Sequence, residues 1–211
     1  MKLTRLFAIA AIGLCTSCTN NADTESATTD TAAAQPEADL SQLTPEARMV
    51  QTAFPNMYMF LEGQDPSFDP ANFQETEGGY GEPLPPRFFA PEELEQFKPY
   101  LIYNTDSTKA IDLVSYNYII DKKDGQQVLT GAGPDTEVGI INLQNNMRTR
   151  IFFAGPGTVM REGKWIDSST VMLGGAETLS NTAIKPFLLR INLNEKSVQK
   201  FAYADSVKGK L

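Results

Sequence analysis

The chain has 211 residues, with 18 Lys or Arg, 26 Asp or Glu and no histidine. Its net charge of -8 argues against nucleic-acid binding, which depends on neutralisation of phosphates by Lys and Arg. The absence of histidine excludes Ser-His and Cys-His nucleophiles, histidine zinc sites and the usual proton shuttle near neutral pH.

The amino terminus has the pattern of an export signal. Lys2 and Arg5 form a positive region, and residues 6–14 are an uncharged apolar run. Such a run has the length of a signal peptide and is too short to cross a bilayer as a helix. We therefore expect residues 1–17 to be a processed leader and to take no part in the fold.

A cysteine follows the leader at the position of cleavage. The small residue Ser17 directly precedes Cys18, and the segment resembles the lipobox of bacterial lipoproteins. The resemblance implies that Cys18 is acylated and becomes the new amino terminus. Cys15 is the less favoured acceptor, because its use would place the bulky Leu14 before the cleaved bond. An ordinary secretory signal, cleaved without lipidation, is the other alternative.

The resemblance implies an envelope location. Lipobox cysteines carry several acyl chains, and at ~0.8 kcal/mol per buried methylene more than one chain gives stable anchoring. Thr19 follows the cysteine, whereas an Asp at this position marks retention at the inner membrane in enteric bacteria. We therefore expect attachment to the outer membrane, either on its periplasmic face or at the cell surface. Loss of Lys2 and Arg5 with the leader makes the net charge -10, so the anchor should supply the membrane contact.

The segment after the cysteine has the composition of a tether. Residues 19–41 are rich in Thr, Ala, Ser, Asp and Glu and contain one aliphatic side chain, Leu40. Such a segment cannot bury enough apolar surface to fold. We expect 18–41 to be the lipidated cysteine with a disordered tether, followed by a single domain made of a helical and irregular part, 42–108, and a β part, 109–211.

Two short helices are predicted in the first part. Thr44 and Pro45 suit a helix start, and that helix should run to about Ala53 and end at Pro55. The apolar patch 57–61 should pack on the sheet. Pro91 to Phe97 should form the second helix.

A long irregular segment, 62–90, lies between these helices. Its prolines and glycines fit no helical or alternating period. We expect an ordered loop held down by its aromatic side chains, namely Phe68, Phe73, Tyr80, Phe88 and Phe89.

The pattern becomes β from Lys109 onward. A strand is predicted over 109–120, and residues 121–125 should turn into a second strand. The next hairpin, 137–154, should turn at Asn145-Asn146 and pair Leu143 with Arg148. That register places Glu137, Arg148 and Arg150 on one face, and Val138, Ile140, Ile151 and Phe153 on the other.

The remaining chain continues this pattern. Strands are predicted at 164–166 and 170–173, the second closed by Gly174-Gly175, and a hairpin over 187–203. The segment 164–203 is weakly similar to β-propeller blade repeats, but propellers need at least ~4 blades of ~40 residues. We therefore predict a mainly β fold, a single antiparallel β-sandwich or curved sheet of about 6–8 strands with one or two short N-terminal helices.

Acidic residues are the first candidates for chemistry. Those of the irregular segment match no calcium-loop spacing, so we predict no metal or other cofactor. Strand-adjacent acids could serve hydrolysis if two lay close together. The acids considered are Asp65, Asp69, Glu75, Glu77 and Glu82 in the segment, and Asp112, Glu137 and Asp167 beside strands.

Basic and aromatic residues suggest binding instead. Arg148, Arg150 and Arg190 could form a cationic strip that recognises a carboxylate or sugar acid, although such residues also form ordinary solvated sheet faces. Tyr80 and Phe88 are the aromatic candidates of the long segment.

We expect a membrane-anchored envelope lipoprotein whose domain binds a protein partner, a glycan or a small molecule. One alternative is a carboxylate-dependent hydrolase, favoured if two of a set of five acids are buried together in a cleft. These five are Asp112, Glu137, Asp167, Glu75 and Glu77. The other is a structural subunit of an envelope assembly, favoured by an exposed apolar edge strand at 187–193.

Overall fold

A computed structural model describes residues 44–76 and 85–211. Its helices are α1 (Pro45–Ala53), α2 (Pro55–Gln64) and α3 (Pro91–Phe97). The predicted leader, Cys15, Cys18, the tether, Glu77, Tyr80 and Glu82 lie outside the described residues.

Thirteen β-strands occur in the described residues. They are β1 (Phe73–Thr76), β2 (Arg87–Phe88), β3 (Ile102–Tyr103), β4 (Lys109–Asp112), β5 (Tyr118–Lys123), β6 (Gln126–Gly131), β7 (Thr136–Asn142), β8 (Met147–Ala154), β9 (Thr158–Trp165), β10 (Thr170–Ser180), β11 (Ala183–Asn192), β12 (Ser197–Tyr203) and β13 (Val207–Lys208).

The strands form two main sheets and a separate hairpin. The larger sheet has the order β1-β12-β11-β10-β9 with β13 beside β11, and the smaller sheet has the order β2-β8-β7-β4-β3. The pair β5-β6 stands apart. All pairings are antiparallel, so the predicted mainly β, sandwich-like fold is confirmed. Eight of the described strands have six or more residues, which agrees with the predicted 6–8 strands. The other five are short, with two to four residues.

The inner core lies between the two sheets. Successive side chains of a strand point to opposite faces. On β10, Val171 and Leu173 pack with Ile111 and Val138 of the smaller sheet, whereas Met172 belongs to the cluster on the other face. β10 therefore buries apolar side chains on both of its faces, as does its neighbour β11.

Helices cover the outer faces. Phe54, Met57 and Leu61 pack with Met172 and Leu188 on the larger sheet. The buried side chains of α3, Leu94 and Phe97, cluster with Ala110 and Ile141 of the smaller sheet. The result is four layers: helix pair, larger sheet, smaller sheet, helix.

The predicted helices at 45–53 and 91–97 are confirmed. The apolar patch 57–61 belongs to a further helix, α2, which was not predicted from the sequence. Pro55 occupies the first turn of α2, where its missing N–H costs nothing, so the same residue ends α1 and begins α2. The patch packs on the sheet as expected.

The start of α2 is capped from β9. The Met57 N–H donates to Glu162 Oε2 at 2.8 Å, and Asn56 Nδ2 donates to Glu162 Oε1 at 2.6 Å. A carboxylate there satisfies a free backbone donor and complements the positive end of the helix dipole. Glu162 therefore fixes the helix pair to the edge of the larger sheet.

The irregular segment contributes an edge strand to each sheet, which corrects the prediction of a loop. β1 pairs with β12, and β2 pairs with β8. Phe68, Phe73 and Phe89 are buried as expected, whereas Phe88 is 59% exposed. Strands of two and four residues are too short to show a period in the sequence.

The strand predicted over 109–120 is broken. β4 ends at Asp112, whose Oδ1 accepts from the backbone N–H groups of Val114 (2.9 Å) and Ser115 (2.8 Å). This side-chain capping forms a turn. The chain resumes as β5 at Tyr118 and continues into the separate hairpin.

The strand predicted to end at Gly174-Gly175 instead continues to Ser180. A Cβ on Gly174 would lie 2.7 Å from Met57 Sδ, so the missing side chain makes room for α2. The glycine pair marks close packing rather than the end of a strand.

The β7–β8 hairpin has a different register from the predicted one. Ile141 pairs with Arg148, and residues 143–146 form a four-residue turn in place of the two-residue turn. The shift is two residues, so Glu137, Arg148 and Arg150 still share a face. A bulge at Ile151 moves Phe153 onto that face, opposite Glu137.

None of the helices in the described part of the chain is long and apolar enough to cross a membrane.

Candidate functional site

Two hairpin turns of the same design meet at one end of the sandwich. In the β7–β8 turn, Asn142 Oδ1 accepts from the Gln144 N–H at 3.0 Å. In the β11–β12 turn, Asn192 Oδ1 accepts from the Asn194 N–H at 3.0 Å. Such side-chain acceptors stabilise a turn locally. The two turns therefore hold their following residues in fixed positions.

A cleft lies between these turns, with a volume of about 400 Å³. Its apolar walls are Ile140, Met147 and Ile151 from the smaller sheet and Leu193 from the turn that follows β11. Pro86, which precedes β2, also lines the cleft. Most ligand sites have about 300–1,000 Å³ and predominantly apolar walls, so the cleft has the size and lining for a small molecule.

Polar side chains complete the lining of the cleft. Asn142, Asn145 and Thr149 are neutral, and Lys109 and Lys196 carry the charge. A few polar groups in an apolar pocket commonly fix the orientation of a ligand. These ten lining residues come from four separate parts of the chain and are hereafter called the cleft.

A buried charge cluster lies on the other face of the smaller sheet. Arg148 Nε donates to Asp112 Oδ2 at 2.6 Å, and Arg148 Nη1 donates to Glu137 Oε1. Arg150 Nη1 approaches Glu137 Oε2 at 3.5 Å. Asp112 is 0%, Arg148 4% and Glu137 7% exposed. The cluster pairs two buried carboxylates with one buried and one partly buried guanidinium group.

Neighbouring groups hold the charge cluster in place. Asn117 Nδ2 donates to the Glu137 carbonyl and Asn117 Oδ1 accepts from the Glu137 N–H, both at 2.8 Å. Gly139 leaves room for the guanidinium, because a Cβ there would lie 2.5 Å from Arg148 Cζ. Arg148 Nη2 is buried without a hydrogen-bond partner among the described residues.

Both central groups of the cluster are held in their ionised forms. Burial raises the pKa of Asp112, but the charge of Arg148 and hydrogen bonds from Ser115 and Arg148 outweigh it, so the pKa lies below its ordinary value. Burial lowers the pKa of Arg148, and Asp112 and Glu137 more than offset this, so that pKa is raised. Such a pair neither donates nor accepts protons readily near neutral pH.

The predicted arginine strip does not form. Arg190 is exposed on the larger sheet, opposite Met172, whereas Arg148 and Arg150 belong to the smaller sheet. Arg148 is buried and Arg150 is partly buried in the ion-pair cluster. Phe88 is exposed and pairs with Met147, which lines the cleft.

The predicted acidic residues have separate places. Asp112 and Glu137 lie together, but Glu75 is exposed on β1 and Asp167 accepts from Ser169 and Thr170 in the β9–β10 turn. Asp65 and Asp69 also organise turns, by accepting from the N–H groups of Ser67 and Ala71. No cluster of three or more metal-binding side chains occurs in the residues described.

The apolar segment 187–193 is not an edge strand. Its residues in β11 pair with β10 on one side and with β12 on the other. The condition that would favour a structural subunit is therefore not met at this place.

Sequence reasoning did not single out the cleft residues. The one signal that points to them is the repeated Ile-Asn-Leu at 141–143 and 191–193, which ends the first strand of each hairpin. Lys109, by contrast, is distant in sequence from both. In comparisons with known proteins, the chain matches no family model, no curated protein and no solved structure, so the chemistry of the site is read from its own residues.

Proposed function

We propose that this chain is a lipid-anchored protein of the bacterial envelope that binds a small molecule in the cleft. The cleft itself, with apolar walls, a few polar groups and a volume of about 400 Å³, is the observation that carries the binding role. The anchor is proposed from the lipobox-like segment at Cys18. Residues 19–41 would place the domain roughly 25 Å from the lipid surface.

Asp112 and Glu137 are buried together, as the hydrolase alternative requires, but both are paired with Arg148 and neither lines the cleft. A general acid works best with a pKa near the operating pH. The pKa of Asp112 is instead below its ordinary value, and Arg148 lies between Asp112 and Glu137. The cluster is better suited to holding the smaller sheet together, and the cleft lies on the opposite face of that sheet.

The anchor is tested with two cysteine variants. Cys18→Ala should lose incorporation of labelled palmitate and should move from the membrane fraction to the soluble fraction after cell breakage, because no acyl chain remains. Cys15→Ala is the matched control and should behave like the unaltered chain. Membrane association that persists in Cys18→Ala and is lost in Cys15→Ala would overturn the assignment.

The cleft is tested with an uncharged fluorescent probe, N-phenyl-1-naphthylamine. The full chain carrying Cys18→Ser, which cannot be acylated at that position, should bind the probe saturably. Thr149→Trp should reduce the affinity at least tenfold, because Thr149 lines the cleft and an indole would fill it. Fluorescence titration measures the affinity, and thermal unfolding checks the fold.

Thr130→Trp is the matched control for the probe experiment. Thr130 is an exposed strand residue of β6 and does not line the cleft. Its variant should bind as the parent does. Absence of saturable binding, or equal losses in both variants, would contradict the proposed cleft function.

A further inference from the structure

We infer that the cleft selects a small organic anion, that is, one negatively charged group attached to an apolar body. This inference rests on the proposed binding function and adds the chemical class of the ligand. It follows from the two lysines, the asparagine donors and the apolar walls of the cleft.

The charged groups that line the cleft are Lys109 and Lys196, and no Asp or Glu lines it. Neither lysine forms a salt bridge within the described residues, where Arg87, Lys98, Arg148, Arg150 and Lys200 are paired. In a chain with a net charge of -8, this convergence of two unpaired cations favours an anion locally.

Both lysines sit on ordered backbone. The Lys109 N–H donates to Asn104 Oδ1 at 2.9 Å, and its carbonyl accepts from the Asn104 N–H at 3.0 Å. Lys196 has a φ of 53°, a left-handed conformation that is uncommon for lysine. The other turn has Asn146 at the corresponding position, with a φ of 54°. The turn thus presents a lysine where asparagine or glycine is usual.

The neutral polar groups also favour an anion. Asn142 Oδ1 accepts from the Gln144 N–H, and Asn145 Oδ1 accepts from the Met147 N–H. These bonds fix the orientation of both amides, because the oxygen must face the backbone donor. Each Nδ2 is then left as a donor with no bond to another described residue, and both residues line the cleft.

The walls and the volume define the rest of the ligand. Ile140, Met147, Ile151 and Leu193 offer an apolar surface, which suits an aliphatic or aromatic body rather than a free inorganic ion. A volume of about 400 Å³ is near the lower end of ligand sites. A small amphipathic carboxylate, sulfonate or phosphate ester has this combination of properties.

The test uses 8-anilino-1-naphthalenesulfonate beside the uncharged probe, because the two share their ring system and differ by the sulfonate. In the Cys18→Ser chain, Lys109→Met with Lys196→Met should weaken sulfonate binding at least tenfold and leave binding of the uncharged probe within twofold. Lys122→Met with Lys123→Met removes two exposed lysines of β5 and should change neither affinity.

The outcomes separate this inference from the proposed function. If the uncharged probe binds and Thr149→Trp removes it, but the double lysine variant binds the sulfonate as tightly as the parent, the ligand class is wrong and the cleft function stands. If neither probe binds saturably, both are overturned. Sulfonate binding that survives Thr149→Trp is adventitious surface binding and also overturns the inference.

Discussion

Replacement of Arg148 with Met is expected to lower the free energy of unfolding by about 3–5 kcal/mol, because it leaves buried carboxylates without their cation. Asp112 and Glu137 accept from different nitrogens of the same guanidinium and are nearly inaccessible to water. A loss of this size is a large fraction of the whole stability of a domain, which is about 5–15 kcal/mol. Urea denaturation followed by circular dichroism measures it.

Exposed and buried ion pairs can be compared in the same chain. Arg87→Met removes a salt bridge to Glu93 whose side chains are 49% and 35% exposed, so its cost should be about 0–1 kcal/mol. The triple variant Asp112→Asn, Glu137→Gln, Arg148→Met carries no buried charge at these sites and should recover part of the loss. Equal costs for Arg148→Met and Arg87→Met would show that the cluster does not stabilise the fold.

The pH dependence of the free energy of unfolding should differ between the parent protein and the Arg148→Met variant. The folded-state pKa of Asp112 is lowered, so its contribution is present above the ordinary value of 3.8 and is lost as the pH falls below it. In Arg148→Met, burial without the guanidinium raises the pKa of Asp112, and protonation removes its buried charge. The variant should therefore gain stability as the pH falls from 7 to 5, where the parent does not.

Gly175→Ala is expected to cost about 1–3 kcal/mol through overpacking. A Cβ at this position would lie 2.6 Å from the Val159 carbonyl oxygen, and backbone cannot move aside as a flexible side chain can. The register between β9 and β10 shifts at this residue, so the strain falls where the pairing is already irregular. Denaturant unfolding gives the cost.

Gly133→Ala is the matched control, since nothing lies within 4 Å of a Cβ at Gly133. Its stability should stay within about 0.5 kcal/mol of the parent. Similar stabilities for the two alanine variants would mean that the larger sheet adjusts to a side chain at Gly175.

Local patterns were sufficient for elements that a few neighbouring residues decide. Pro91, Leu94 and Phe97 predicted α3, because a proline at the first turn and two apolar residues three apart define a short amphipathic helix. The face shared by Arg148 and Arg150 was also predicted, since a register error of two residues preserves the alternation of a strand.

The sequence patterns did not predict the features that depend on residues far apart in the chain. The alternation of β8 assigns Arg148 correctly to the face that also carries Glu137. On that face Arg148 forms ion pairs with Asp112 and Glu137, so the arginine is buried rather than solvated. The cleft is lined by both Lys109 and Lys196, which are far apart in the sequence. No helical or strand periodicity connects residues at such a distance. Asn145-Asn146 suggested a two-residue turn, whereas the Asn142 side chain organises a longer one.

The pairing of β1 with β12 has a consequence for how the chain folds. Phe73 lies opposite Tyr203, so most of the domain must be present before this edge of the larger sheet can close. Phe201, Tyr203 and Val207 also complete the cluster under the helix pair. Contacts so distant in sequence are formed late and slow the reaction, because the loop must close before they stabilise it. The helix pair is therefore expected to pack completely only after β12 and β13 have formed.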